Sequence, residues 1–449
     1  MKNESKEENL KERSKKVLVS LTHLSIAGLP KGYTQFFDRG EGCYIYDVDG
    51  KRYIDFMASF GPILLGHQHE GVDSQVRKQM LKGNCLAGPS EKMVELAELL
   101  SRVIPYAEWA YFAKNGTDST TIAVRMARAH TGKRVILRAP SSYHGSAEIW
   151  KEGLCQYFSY LILNNIVYFH CIQGSNRRLL REGVLPEQRA YLSPYVFNDV
   201  KSVSDAVEAA GDDFAGIICP SFKWDYGFDQ ELPTIEFLTY LRRVCDENNA
   251  VLICDDVRSS MRLSLAGSWA YLEGCNVEPD LSCLCKGIAN GYEMSAVVGN
   301  NRLRKAAGTI NATGSFWCNA IPFTAAIHTI ETLAQNPSIH ENMKLLGEKL
   351  RSGLNKVAKG CGVEGFRQSG PVQMPYFSFD QERTKPISDR VLIQTFCSYC
   401  ARLGVWFHPY HTMFLTAAHT DADIESTLSV AEVAFRAVKS LQRDHIASL

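Results

Sequence analysis

Five apolar runs, each ending in a polar or glycine-rich step and separated by segments of helical periodicity, constrain the fold of this chain most. They are Trp109–Phe112, Arg134–Arg138, Gly216–Cys219, Ala250–Cys254 and Leu281–Cys285. A run apolar at every position, with no alternation, describes a strand covered on both faces. Between them, 117–130 and 235–248 carry apolar residues at helical spacing. Strands alternating with helices predict an α/β fold with a large, mainly parallel sheet and helices on both faces. From about residue 326 the pattern changes to a long helix, a strand-like stretch at Pro375–Phe379, a helix near 388–403 and a last helix from Asp421. These are expected to form a smaller α+β domain with the N-terminal segment. The expected division is 1–85, 86–325 and 326–449.

The N-terminal segment opens with charged and polar residues through position 17, expected to fray or form an exposed helix. Gly40–Phe56 reads as two alternating runs joined at Val48-Asp49-Gly50, a hairpin signal. Lys plus Arg equals Asp plus Glu at 49 each, so no global field draws the chain to nucleic acid or to an anionic membrane. No apolar run approaches the ~20 residues that span a bilayer, and no signal peptide opens the chain. The 14 cysteines sit mostly in apolar runs, which suits buried free thiols and predicts a reducing, cytoplasmic home. Cys397 and Cys400 fall within a helical stretch without a second pair, and His67 and His69 lack further ligands, so no metal is expected. Gly360-Cys-Gly362-Val-Glu-Gly365 matches a dinucleotide-binding pattern but follows a helical stretch, which makes it a turn.

The chemistry collects where strands end. Lys286 closes an apolar run before Gly287 and Asn290-Gly291; there a lysine needs a partner, a lowered pKa or a covalent task. Asn115-Gly116-Thr117 follows a strand and opens a helix, where free amides and the helix dipole can hold a phosphate. Asp255-Asp256 ends Val251–Cys254, and an aspartate facing a pyridine nitrogen keeps that ring protonated. Tyr143, in Ser142-Tyr-His-Gly145, can stack on a flat ring. A phosphate cradle, a stacking ring, a carboxylate and an amine together match the needs of pyridoxal phosphate.

With these residues the sequence resembles the class III aminotransferases of fold type I, and most closely the glutamate-1-semialdehyde aminomutase branch. The likeness runs through Gly61-Pro-Ile-Leu-Leu-Gly-His67, Asn115–Asp118, Tyr143–Gly145, Leu252–Val257, Pro279–Lys286 and Phe414–Asp421. The resemblance implies that Lys286 is the Schiff-base lysine forming the internal aldimine and Asp255 the partner of the pyridine nitrogen. Val257 and Tyr143 would flank the ring, with His144 beside it, and Asn115, Gly116 and Thr117 would hold the phosphate. It further implies a homodimer with a shared site, in which Gly314-Ser315 of the neighbouring subunit contacts the phosphate.

The implied reaction moves an amino group from an amino-acid donor to an aldehyde or ketone acceptor. An aminomutase or racemase on the same cofactor is the alternative. Departures from the aminomutase pattern fall on substrate contacts: Gly287–Met294 after the lysine, Cys219 before Pro220, Phe60, and no arginine in 26–37. They imply retained cofactor chemistry with a different substrate. The segment Trp150–Pro194 is expected to border the substrate entrance.

Overall fold

The structure is a computed structural model that describes residues 5–18, 29, 33–140, 142–150, 184–224, 228–380, 384 and 387–446. Residues 151–183 lie outside these, and with them most of the segment expected at the substrate entrance; so do 26–28 and 30–32. The chain divides into two compact units, one of residues 1–69, 226–229 and 338–449, the other of 70–225 and 230–337.

The first unit begins with helix Lys6–Val17, anchored where buried Glu7 accepts from Gln35 N at 2.7 Å. Three strands follow: β1 (Phe37–Glu41), β2 (Tyr44–Asp47) and β3 (Arg52–Asp55), antiparallel in sequence. The turn between β2 and β3 has Gly50 at φ +87°, and the Asp47 carboxylate takes the amides of Asp49 and Lys51 at 3.1 and 2.8 Å. This is the hairpin that Val48-Asp49-Gly50 signals.

The second unit holds a seven-stranded sheet made of β4 (Trp109–Ala113), β5 (Val135–Arg138), β6 (Leu192–Pro194), β7 (Phe214–Pro220), β8 (Val251–Asp255), β9 (Leu281–Leu284) and β10 (Ser295–Gly299). Their order across the sheet is β4-β10-β9-β8-β7-β5-β6, parallel from β9 to β6, with β10 antiparallel to both neighbours. Neighbouring residues of one strand enter opposite cores. Ile136, Ile218 and Ile253 pack with Ile122 and Met126 of helix Gly116–Thr131, whereas Leu137, Ile217 and Leu252 pack with Phe237 and Leu241 of helix Ile235–Glu247. Two covered faces are the physical reason these strands show no polar alternation.

The first unit resumes with helix Ser338–Gly360, the hairpin of β11 (Phe366–Ser369) and β12 (Tyr376–Phe379), helix Asp389–Arg402, β13 (Val405–Trp406) and helix Asp421–Ile446. Strand β13 joins β3 in parallel, so both chain ends build one small sheet. Phe396 stacks on Phe407 and packs against Phe435 at the centre of this core. The glycines 360–365 follow a helix and lead into β11, in keeping with a turn. Among the described residues no group of three or more His, Cys, Asp or Glu is placed to hold a metal, and no helix is long and apolar enough to cross a membrane.

Candidate active site

Chain ends of adjacent strands bring most of the expected residues to the carboxyl edge of the large sheet. Asp255 is the last residue of β8, and Lys286 follows β9, its neighbour. Tyr143 and His144 lie in the loop after β5, while Asn115–Thr117 joins β4 to its helix. Crossover connections place all these loops at one end of the parallel strands, where α/β proteins bind ligands.

Lys286 is partly buried, with φ at +45°, a left-handed conformation followed by Asn290 at +44° and Gly291 at +101°. Burial, and then the charge of Arg258, push its amine down to about 7, against an opposing pull from Cys285 and Asp255. A lysine so placed is substantially neutral near neutral pH, as a nucleophile or general base must be.

Asp255 is 5 % exposed and engaged through both oxygens. Oδ2 lies 2.6 Å from His144 Nδ1, and Oδ1 accepts from Val257 N at 3.1 Å. The His144 side chain is fully buried, and its Nε2 has no hydrogen-bond partner among the described residues. His144 therefore serves to aim the carboxylate, which retains lone pairs for one more donor.

The turn at Asn115–Thr117 is held by Asp118, whose carboxylate accepts from Asn115 N at 2.8 Å. Thr117 Oγ1 accepts from Ser146 N at 2.9 Å, and Thr120 Oγ1 donates to His144 O at 2.7 Å, tying this helix start to the loop after β5. The first-turn amides of such a helix have no intrahelical acceptor and suit an anion. Two glycines keep the approach open: a Cβ on Gly116 would meet Val257 Cγ1 at 2.5 Å, and one on Gly145, at φ +120°, would meet Thr117 Oγ1 at 2.6 Å. Tyr143 is 58 % exposed, two residues before Gly145. A cradle that excludes a Cβ, an aimed carboxylate and a near-neutral amine fit a phosphorylated pyridine aldehyde.

Ser315 is not joined to this group by any hydrogen bond among the described residues; it is exposed, in a turn closed by Trp317 N donating to Gly314 O at 3.0 Å. Sequence reasoning missed Arg258 and Trp224. The guanidinium carbon of Arg258 lies 3.7 Å from the centre of the Trp224 ring, and burial pushes Arg258 down to about 10, with Asp255 and Tyr143 opposing. An arginine three residues past a buried strand-end aspartate was the available signal. Asp256, next to Asp255, points elsewhere: its carboxylate takes Ser259 Oγ at 2.7 Å and Ser268 N at 3.1 Å and supports the loop from inside.

Residues 29–430 match the family described as aminotransferase class-III. Over 440 residues the chain is 37% identical to an aminopentol aminotransferase of Sphingopyxis macrogoltabida, covering 98% of this chain and 96% of that protein. It is 30% identical over 428 residues to a glutamate-1-semialdehyde 2,1-aminomutase of Chloroflexus aurantiacus, covering 91% of each. The solved structure of the Sphingopyxis sp. MTA144 FumI protein, in its pyridoxal-phosphate internal aldimine form, superposes with a TM-score of 0.86 at 36% identity and covers 99% of this chain and 98% of that one. The chain belongs to the class III aminotransferases, fold type I enzymes whose cofactor is pyridoxal phosphate.

Proposed function

We propose that Lys286 is the reacting amine and Asp255 the partner of the cofactor's ring nitrogen. In this reading an amino group moves between two molecules, from an amino-acid donor to an aldehyde or ketone acceptor. The observation that carries it is the Lys286 amine, pushed down to about 7, just past the end of the strand beside the one that Asp255 closes. Pyridoxal phosphate, when bound, supplies an electron-withdrawing ring that takes up charge from the amine-bearing carbon of the substrate.

The protein's own groups do the rest. Nζ of Lys286, neutral in a large fraction at pH 7, takes the proton from that carbon and carries it as an ammonium until it is returned. Asp255, aimed by His144 and Val257 N, holds the proton of the ring nitrogen. Amides at Asn115, Gly116 and Thr117, with the helix dipole behind them, hold the phosphate. Val257 and Tyr143 flank the ring.

Transfer between molecules is favoured over the aminomutase reaction by the higher identity to an aminotransferase, 37% against 30%, and by the departures at Phe60, Cys219 and Gly287–Met294. A homodimer with Ser315 reaching the partner's phosphate extends the reading. Its support is an exposed apolar set, Met80, Leu81, Leu86 and Phe316, on two segments stitched by Asn84 O accepting from Ala320 N at 2.9 Å. Cysteines left free and largely buried support a reducing, cytoplasmic home.

The test is Lys286→Ala with purified protein. Borohydride reduction followed by mass analysis should find the cofactor attached to the parent protein and not to the variant, and turnover should vanish; surviving turnover removes the assignment. Conversion of glutamate-1-semialdehyde without any added donor would instead establish the aminomutase.

A further inference from the structure

Strands β8 and β9 separate one step beyond Asp255, and a side chain fills that step. The last direct backbone bond between them is Asp256 N donating to Cys283 O at 3.0 Å. Were the parallel ladder to continue, Cys285 N would donate to Asp256 O. Instead Cys285 N donates to Ser260 Oγ at 3.2 Å, and Ser260 Oγ donates to Asp256 O. One buried hydroxyl is thus spliced into the ladder, as a bridging water would be, immediately before Lys286.

The hydroxyl has little choice of place. Ser260 N also donates to Asp256 O, at 2.8 Å, so both lone pairs of that carbonyl are taken by one residue. Beneath this turn the Asp256 carboxylate accepts from Ser259 Oγ at 2.7 Å and from Ser268 N at 3.1 Å. Ser259 Oγ meets Ser221 Oγ, and Ser221 N donates to Asp255 O at 3.0 Å. On the other side of Cys285, its carbonyl accepts from Ile288 N at 3.1 Å. Cys285 is therefore held at both amide and carbonyl, and Lys286 sits inside the turn so closed, at φ +45°. A residue with a Cβ keeps such a conformation only where its surroundings impose it.

We propose that Ser260 is a positioning residue for the reacting amine: its hydroxyl sets the Cys285 backbone, and with it the direction from which Lys286 meets the aldehyde of pyridoxal phosphate. This rests on Lys286 as that amine. Attachment joins Nζ to the aldehyde carbon as a C=N bond and releases one water, so its rate follows the approach of Nζ. Pyridoxamine phosphate carries an amine in place of the aldehyde. It cannot form that bond and reports on phosphate and ring binding alone.

The experiment uses the full chain stripped of cofactor, as parent, Ser260→Ala and Ser260→Gly. Attachment of pyridoxal phosphate is timed by borohydride quench and peptide mass, and pyridoxamine phosphate is titrated calorimetrically. In Ser260→Ala attachment should slow roughly 10- to 100-fold, the scale set by a misplacement of about 1 Å, while pyridoxamine phosphate affinity changes less than about 3-fold. Ser260→Gly makes room for one water between Asp256 O and Cys285 N, so it should attach faster than Ser260→Ala although glycine loosens the turn. Unchanged attachment in Ser260→Ala, a parallel loss of pyridoxamine phosphate binding, or Ser260→Gly no faster than Ser260→Ala would overturn the proposal. If Ser260→Ala does not fold, Ser260→Cys, of similar shape and weaker hydrogen bonding, carries the same comparison. Failure of the Lys286 assignment has a separate signature, a trapped cofactor in the parent on a peptide that lacks residue 286.

Discussion

His144 Nδ1 lies 2.6 Å from Asp255 Oδ2, and the two residues are joined across 111 positions of sequence in the buried floor of the site. The contact is the reason Asp255 points one way. His144→Ala leaves the carboxylate in place but unaimed. Removing one charge-assisted hydrogen bond corresponds to about 1.5–3 kcal/mol, so kcat should fall roughly 10- to 100-fold. His144→Asn, which keeps a donor near Nδ1, should recover part of that loss. Steady-state kinetics with saturating cofactor checks it, and equal kcat in parent and His144→Ala would show that the histidine is only packing.

Lys286 gives a pH dependence with a definite sign. Its amine is pushed down to about 7, so the neutral, nucleophilic form grows as pH rises toward that value and is nearly complete above it. Capture of free pyridoxal phosphate by the cofactor-stripped protein should therefore accelerate about tenfold per pH unit below 7 and then level off. Removing the neighbouring cation in Arg258→Met should move this midpoint upward. Stopped-flow absorbance over pH 5 to 10 measures both, and a midpoint near that of an ordinary lysine would contradict the burial described above.

Gly116 and Val257 compete for one space. A Cβ on Gly116 would stand 2.5 Å from Val257 Cγ1 and 3.1 Å from Cγ2, so Gly116→Ala must displace the side chain expected to pack on the ring. Overpacking of this kind costs about 1–3 kcal/mol and should appear as weaker cofactor retention on dialysis. In Gly116→Ala/Val257→Ala the clash is gone, so the double variant should retain cofactor better than Gly116→Ala alone. Additive losses would place the problem in the backbone of the turn.

Asp280 is a structural counterpart, far less exposed than its partners. Its carboxylate takes Arg242 Nη1 at 3.0 Å, Arg302 Nη1 at 3.0 Å, Leu252 N at 2.8 Å and Asn300 Nδ2 at 3.1 Å. Burial pushes the carboxyl up, but Arg242, Leu252 N, Asn300 and Arg302 together hold it below its ordinary value of 3.8. A lowered folded-state pKa means stability that is present above 3.8 and lost as pH falls through the folded value. Asp280→Asn should cost about 3–5 kcal/mol at pH 7 by leaving the arginines without their anion, and the gap should narrow in acid. Urea denaturation at pH 7 and pH 3.5 compares the two.

The large sheet was legible in the sequence where burial on both faces produced unbroken apolar runs, as in Val251–Cys254. Strand β10, Ser295–Gly299, was not read. It is five residues of small and branched side chains without alternation, and its antiparallel place between β4 and β9 depends in part on β4, nearly 200 residues away. Strand β6 is three residues ending in Pro194, an edge position with little pattern to show. In the site, positions that close a strand were visible one at a time: Lys286, Asp255, Asn115–Thr117 and Tyr143. The use of His144 and the Arg258–Trp224 stack were hidden, because both arise from side chains meeting across separate loops.

The antiparallel strand between β4 and β9 also has a consequence for synthesis. Without Ser295–Gly299, β4 has no neighbour in the sheet, since β10 is its one hydrogen-bonded strand partner among the described residues. A nascent chain that has just exposed Lys286 thus carries Asn115–Thr117, Tyr143, His144, Asp255 and Val257 but not yet the strand that ties β4 into the sheet. Fragments ending at 290 and at 310 differ by that strand, and with it by the edge on which β4 is laid down.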